Sequence, residues 1–224
     1  MSLIVGLLLE PVLPAHAVTP LVDVRDKNPG IRVHLSYATD QNAFHRRLYS
    51  GNVALLRAPV ASRLDRVQRR LERRGFGLLV WDAYRPRSVQ WTMWRLRPDA
   101  RSHYLANPRK VSKHSRGAAV DVTLVTRSGA PVSMPTPHDE FTARAHRGAR
   151  RGVSVAAFGN ARRLDAAMRA EGFHPNPYEW WHFTAPEWSR YAASDLPVPA
   201  HRAAGREERF RRDSPTGQSR PSGR

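Results

Sequence analysis

The stretch Ser112-Lys-His-Ser-Arg-Gly-Ala-Ala-Val-Asp-Val-Thr-Leu-Val125 runs from a polar loop into a strand, and its reading decides how the rest of the chain is arranged. Gly117 marks the turn, because a residue without Cβ takes the φ > 0 conformations that let a loop swing into extended chain. From Ala118 onward the strand period of two puts Ala118, Val120, Val122 and Leu124 on one face and Ala119, Asp121 and Thr123 on the other. Asp121 is thus a carboxylate on the less apolar face, beside an alanine small enough to let another group approach. His114, on the preceding loop, is placed to fold back towards the same spot. A catalytic zinc takes three protein ligands and keeps a fourth position for water, so a third ligand must come from elsewhere in the chain.

The best supplier is Tyr178-Glu-Trp-Trp-His-Phe183, an aromatic run flanked by Pro175, Pro177 and Pro186. The prolines argue against a helix, and the run reads as a loop entering a buried strand, with His182 as third ligand and Glu179 as the base that acts on water. Each piece alone has a plainer reading. A His-x6-Asp pair arises by chance in many chains, and Glu179 with His182 would serve as a polar pair at the edge of an aromatic core. The remaining histidines, His16, His34, His45, His103, His138, His146, His174 and His201, are read as surface or supporting residues, with His138 and His174 the runners-up as ligands.

The conjunction carries more. Ser-x-His-x-x-Gly-x-Ala-x-Asp followed at a distance by Glu-x-Trp-His, with Trp81-Asp-Ala-Tyr-Arg-Pro86 upstream, resembles the D-alanyl-D-alanine dipeptidases, the VanX-type zinc peptidases, in the right order from about Leu21 to about Tyr191. Tyr37-Ala-Thr-Asp-Gln-Asn-Ala-Phe44 resembles that family's Tyr-x-x-x-x-Asn-Phe segment with one inserted residue, and Tyr104-Leu-Ala-Asn-Pro108 is also similar. The resemblance implies one Zn²⁺ per chain on His114, Asp121 and His182, with Glu179 as general base and Arg85 as the cation that meets the oxyanion. It implies a small dipeptide as substrate. Asp139, with Asp82 nearby, would receive its amino terminus, and Ser112 or an arginine its carboxylate. Met134-Pro-Thr-Pro-His-Asp139 departs from the family's Met-Gly-[Ser/Thr]-x-Phe-Asp at Pro135 and His138, while Asp139 matches. The bland reading of Asp82 is a salt-bridge partner that holds Arg85.

Outward from these blocks, 224 residues make one ordinary domain with tails. The chain has no cysteine, so any zinc is held by nitrogen and oxygen. The net charge of +18 is carried almost wholly by arginine, the lysines being Lys27, Lys110 and Lys113. Such an excess suits a polyanionic neighbourhood, including loose contact with anionic cell-wall polymers. No stretch interleaves the arginines with aromatics in the manner of a single-strand-binding face, so no specific nucleic acid is expected. Met1-Ser-Leu-Ile-Val-Gly-Leu-Leu-Leu9, leading to Ala15-His-Ala17, reads as a signal peptide over 1–17 despite Glu10 and the missing basic start; export to the periplasm or cell wall follows, with a cytoplasmic protein otherwise. Residues 18–199 form the zinc dipeptidase domain. From Ala200 to Arg224 the chain is poor in apolar residues and is expected to be a disordered basic tail.

Within the domain, alternation predicts a strand over Ile31–Tyr37 and apolar spacing predicts a helix over Ala54–Arg74, its stripe Leu55, Val60, Leu64, Val67 and Leu71. Phe76–Trp81 is a short apolar strand, Ser88–Arg97 a helix stopped by Pro98, Asp99–Lys113 a polar loop, Pro131–Met134 the return of a hairpin, and Ala156–Glu171 a helix ended by Gly172. The expected class is α+β, a central antiparallel sheet with helices packed on one side. The resemblance implies the same fold, shared with Hedgehog-like and D,D-peptidase zinc proteins. Two further functions compete with the dipeptidase: a carboxypeptidase or endopeptidase acting on peptidoglycan stems, and a zinc-containing binding module without turnover. The presence of both Glu179 and Arg85 speaks against the last.

Overall fold

The computed structural model describes residues 19–101 and 104–202. The expected signal peptide lies outside them, as does the tail from residue 203 onward. In chain order the regular elements are β1 Leu21–Asp23, α1 Val24–Lys27, β2 Arg32–Val33, β3 Leu55–Arg57, α2 Ala58–Glu72, β4 Phe76–Asp82, α3 Arg87–Leu96, β5 Ala119–Thr126, α4 Val155–Ala170, β6 His174–Asn176 and β7 Glu179–Thr184. Among the described residues no helix is long and apolar enough to cross a membrane.

A five-stranded sheet in the order β2-β4-β5-β7-β6 forms the centre, and β1 with β3 makes a separate two-stranded pair. All contacts between strands of the large sheet are antiparallel except β2 on β4, which is parallel, so the chain is α+β as its pattern predicts, with one parallel edge added. Val60, Ala61, Leu64, Val67 and Leu71 bury the predicted stripe of α2, and α2 and α4 pack on the sheet and on each other. Gln68 sits in that apolar stripe and is satisfied: its Oε1 accepts from Leu78 N at 2.8 Å, linking helix to strand. Ser154 caps α4 by accepting from Ala157 N at 3.1 Å, which satisfies one of the free donors of the first turn.

Part of the arginine excess is used inside the fold. Arg66 and Arg70 of α2 pair with Glu171 at 3.0 and 2.9 Å, and Arg63 donates to the Glu171 carbonyl at 2.7 Å, so three cations converge on the end of α4. Several other arginines lie over aromatic rings, Arg150 on Phe158 and Arg163 on Phe76 among them.

Three elements differ from the sequence reading. Leu55–Arg57 is strand, paired with Asp23–Leu21, so the helix starts only at Ala58, with Pro59 in its first turn where a missing N–H costs nothing. Ile31, Leu35 and Tyr37 are buried as their alternation implies, but only Arg32–Val33 pairs, and Ser36–Ala38 turns as a 3₁₀ helix. The expected hairpin shrinks to a single bridge between Val125 and Pro131, since proline has no N–H to extend a ladder. The aromatic run enters a buried strand as expected, β7 beginning at Glu179 itself.

Gly117 holds φ +67°, and a Cβ there would stand 2.4 Å from Leu21 Cδ2 and 3.4 Å from Arg57 N. Gly159, inside α4, has open space around it. Gly117→Ala should therefore lower stability by roughly 1–2 kcal/mol or more, from the left-handed backbone alone, while Gly159→Ala should raise it by about 0.5–1 kcal/mol through helix propensity. Thermal unfolding of both variants checks this, and a Gly117→Ala protein as stable as the parent would contradict the turn geometry.

Candidate metal centre

The register of the sheet builds the site. Asp121 of β5 lies directly opposite His182 of β7, and on its other side β4 presents Asp82, brought into line by an irregularity between Val80 and Asp82. Such a bulge re-aims a side chain at a strand end. His114 arrives from a 3₁₀ turn, His114–Arg116, closed by Gly117 in the left-handed conformation. Arg57 N and Arg85 N bond the carbonyls of Gly117 and His114 at 2.9 and 3.2 Å, tying the turn to β3 and to the end of β4.

Three ligand atoms converge. His182 Nδ1 is 2.9 Å from Asp121 Oδ1 and 3.1 Å from His114 Nε2, and His114 Nε2 is 3.6 Å from Asp121 Oδ1. An ion bound tetrahedrally at about 2.0–2.1 Å holds its ligand atoms roughly 3.3 Å apart, so the spacing fits a single small cation. The outer ring atoms are also provided for. His114 Nδ1 is 2.7 Å from the Ala83 carbonyl, and His182 Nε2 is 3.3 Å from Thr184 Oγ1. With those nitrogens as the N–H donors, His114 Nε2 and His182 Nδ1 keep their lone pairs for the metal. Burial lowers the His182 pKa and favours the neutral ring a ligand needs. For Asp121, burial alone would raise the carboxyl, but the histidines around it, His114 foremost, hold it well below the usual range. Among the described residues, His114, Asp121 and His182 are the one group of at least three His, Cys, Asp or Glu side chains spaced to hold a metal ion.

Glu179 stands beside this cluster, its Oε2 3.7 Å from His182 Nδ1 and accepting from Asn176 Nδ2 at 2.7 Å. Burial, reinforced by the charges of Asp121 and Asp139, pushes its pKa well above the ordinary glutamate value. A cavity of about 440 Å³ opens over the cluster, and Arg85, Ser112, Asp139, Glu179 and the three ligand residues all line it. Asp139 adopts φ 57°, and its Oδ2 accepts from the Tyr37 phenol at 2.6 Å. Ser112 Oγ accepts from His114 N at 3.2 Å, so it also braces the ligand turn.

Asp82 is a correction. It is fully buried, does not line the cavity, and is engaged by Arg85 Nε and Nη2 at 3.0 and 2.6 Å and by the Tyr49 phenol at 2.6 Å. It therefore holds Arg85 in place and is shut off from the cavity, the plainer of the two roles expected for it. Gln90 Oε1 takes Arg85 Nη1 at 2.7 Å, and the guanidinium lies over the Tyr37 ring. These contacts engage three of its five N–H bonds, and the residue lines the cavity. Of the runner-up histidines, His174 is exposed, whereas His138 is buried against Asp121 and Asp139.

Arg147 is a residue the sequence reading passed over. Its guanidinium donates to the carbonyls of Asn176, Glu179, Trp180 and His182 at 3.0, 2.9, 3.0 and 3.3 Å, pairs with Asp165 at 2.8 Å, and lies over the Phe183 ring at 4.6 Å. It clamps the hairpin that carries both the candidate base and a ligand. Tyr49, in a loop, and Asn176, at the end of β6, escaped notice because a lone polar residue has no pattern that announces its partner.

Comparison with known proteins agrees with this geometry. Residues 17–199 match the profile of the peptidase M15 family described as D-ala-D-ala dipeptidase. The D-alanyl-D-alanine dipeptidase of Escherichia coli is 32% identical over 77% of this chain and 88% of its own length. That of Streptomyces coelicolor is 37% identical over 70% and 87%, and that of Enterococcus faecalis 31% identical over 69% and 85%. With the profile spanning most of the sequence and these relatives covered over most of their length, the chain belongs to the D-Ala-D-Ala dipeptidase family of peptidases.

Proposed function

We propose that this protein hydrolyses D-alanyl-D-alanine to two D-alanines, with zinc as its metal and in the service of cell-wall peptide turnover or D-alanine salvage. The observation that carries the reading is the meeting, in one cavity, of three ligand atoms 2.9 to 3.6 Å apart with the buried carboxyl of Glu179 and the fixed charge of Arg85. The names of its relatives give the substrate class.

Zinc held by His114, Asp121 and His182 would polarise the scissile carbonyl and bring the pKa of water from about 16 towards about 7. Glu179 takes the proton of the attacking water and later returns it to the leaving amine. Its raised pKa suits a group that must both accept and release a proton near neutrality. Arg85, pinned by Asp82 and Gln90, presents its remaining N–H bonds to the oxygen that gains charge, and because the pin is already in place no reorganisation is needed during the reaction. Asp139 offers Oδ1 to the substrate's ammonium group while Tyr37 holds Oδ2. Ser112, which lines the cavity just before the ligand turn, offers its hydroxyl to the substrate's carboxylate. An ionic anchor for the amine confines the site to short substrates, because an acylated or longer peptide has no ammonium at that position. Export is part of this proposal, supported by the apolar start and Ala15-His-Ala17, and the arginine excess suits loose contact with anionic wall polymers.

Two outcomes are expected. Purified protein should carry close to one zinc per chain, and His114→Ala and His182→Ala should each lose it; metal analysis decides, and full occupancy in both variants would mean that the ligands are misassigned. D-Ala-D-Ala should be cleaved with a kcat/KM at least about 10²-fold above that for an N-acetylated counterpart. Asp139→Asn should shrink that preference mainly by raising KM for the free dipeptide. Equal cleavage of both substrates would point instead to a peptidase acting on stem peptides.

A further inference from the structure

His138 lies between the two halves of the site, and none of the roles above uses it. Its ring is stacked on Trp81, with centroids 5.0 Å apart and planes at 25°, and stands edge-on to Trp181 at 5.5 Å. Nδ1 is 2.8 Å from Ser36 Oγ. Nε2 is buried with no hydrogen-bond partner, yet it lies 3.5 Å from Asp121 Oδ2 and 3.5 Å from Asp139 Oδ1. Those are the oxygens that the other contacts leave over, since Asp121 turns Oδ1 to His182 and Asp139 gives Oδ2 to Tyr37. A lone pair aimed at two carboxylates would be repelled by both. The favoured tautomer therefore has the Ser36 hydroxyl donating to Nδ1 and an N–H on Nε2 facing both carboxylates. Buried N–H groups are seldom left without an acceptor, and these two oxygens are the acceptors that face this one.

We propose that His138 is a positioning residue whose Nε2–H ties the free oxygen of Asp121 to the amine anchor Asp139, orienting both at once. The inference rests on the ligand and anchor roles assigned above. Its place behind a ligating carboxylate gives it leverage on the metal, and its place beside Asp139 gives it leverage on substrate binding. Groups that orient a metal ligand typically change metal affinity by about 10–100-fold when removed.

The test uses the full-length protein, with zinc affinity read by chelator competition alongside kcat, KM and melting temperature. His138→Phe keeps a ring to stack on Trp81 and removes the donor. It should weaken zinc binding about tenfold and raise KM for D-Ala-D-Ala several-fold, while kcat at saturating zinc and substrate stays within about threefold. His138→Gln, which restores an N–H, should recover most of both losses; a Gln variant as weak as the Phe variant contradicts the proposal. Ser36→Ala, which keeps the ring but frees its tautomer, should shift both values in the same direction by less, and it decides the matter should His138→Phe fail to fold. Wild-type zinc affinity and KM in His138→Phe, with His114→Ala losing its zinc, overturn this inference alone. A parent protein that takes up no zinc overturns the site reading and this inference together.

Discussion

The interaction on which the structure depends is the cross-strand pairing of Asp121 with His182 in the centre of the five-stranded sheet. A slip of one residue between β5 and β7 would send one of the two side chains to the opposite face and dissolve the ligand set. The register is fixed on both faces. Val120 opposite Phe183 lies in the core while Asp121 opposite His182 faces the cavity, so apolar burial and ligand placement demand the same alignment. The hairpin is held from outside by Arg147, whose guanidinium reaches four backbone carbonyls in or beside it. Catalytic geometry and fold stability thus rest on the same hydrogen bonds.

The second constraint is charge. Asp82, Asp121, Asp139 and Glu179 are all buried within one region, an arrangement that costs several kcal/mol per unpaired ion. Each is compensated differently. Asp82 has Arg85 and Tyr49, Asp121 has three histidines around it, Asp139 has Tyr37, and Glu179 has the Asn176 amide and, at 3.7 Å, His182, and moves towards its neutral form. The least compensated carboxyl is the one placed to carry protons, which is what general acid-base work requires. A divalent cation held by His114, Asp121 and His182 would relieve the crowding further and so couple metal binding to local stability.

Much of this was legible in the sequence because the informative patterns are local. The alternation after Gly117 placed Asp121 on its face, and the apolar spacing in Val60–Leu71 placed α2. The resemblance carried by Ser112–Asp121, Trp81–Pro86 and Glu179–His182 named the candidate ligands and the candidate base that the geometry brings into one cavity. The failures share a cause, which is that non-local partners leave no local trace. Leu55 was read as helical because it continues the stripe of α2, but pairing with β1 claims it. Asp82 had two readings in the sequence, a contact to the substrate's amine or a partner that holds Arg85, and only the bulge and Tyr49 show that it turns inward to the second. Arg147 sits in a stretch rich in arginine and glycine, where nothing marks one arginine as a clamp and its neighbours as surface. His138 departs from the family segment at a position whose role is set by Ser36, Trp81 and two carboxylates distant in the chain.

The central claim is that Glu179 moves the proton in a reaction that the metal centre makes possible, and replacing it by glutamine isolates that claim. Gln keeps the size and the hydrogen bond to Asn176 but removes the basic oxygen. Zinc content, melting temperature and kcat measured on one Glu179→Gln preparation should show metal and fold retained, with kcat down by about 10³- to 10⁴-fold, near the upper range for a group that serves two proton transfers. Retained zinc and fold with near-normal turnover would remove Glu179 from the mechanism and contradict the account.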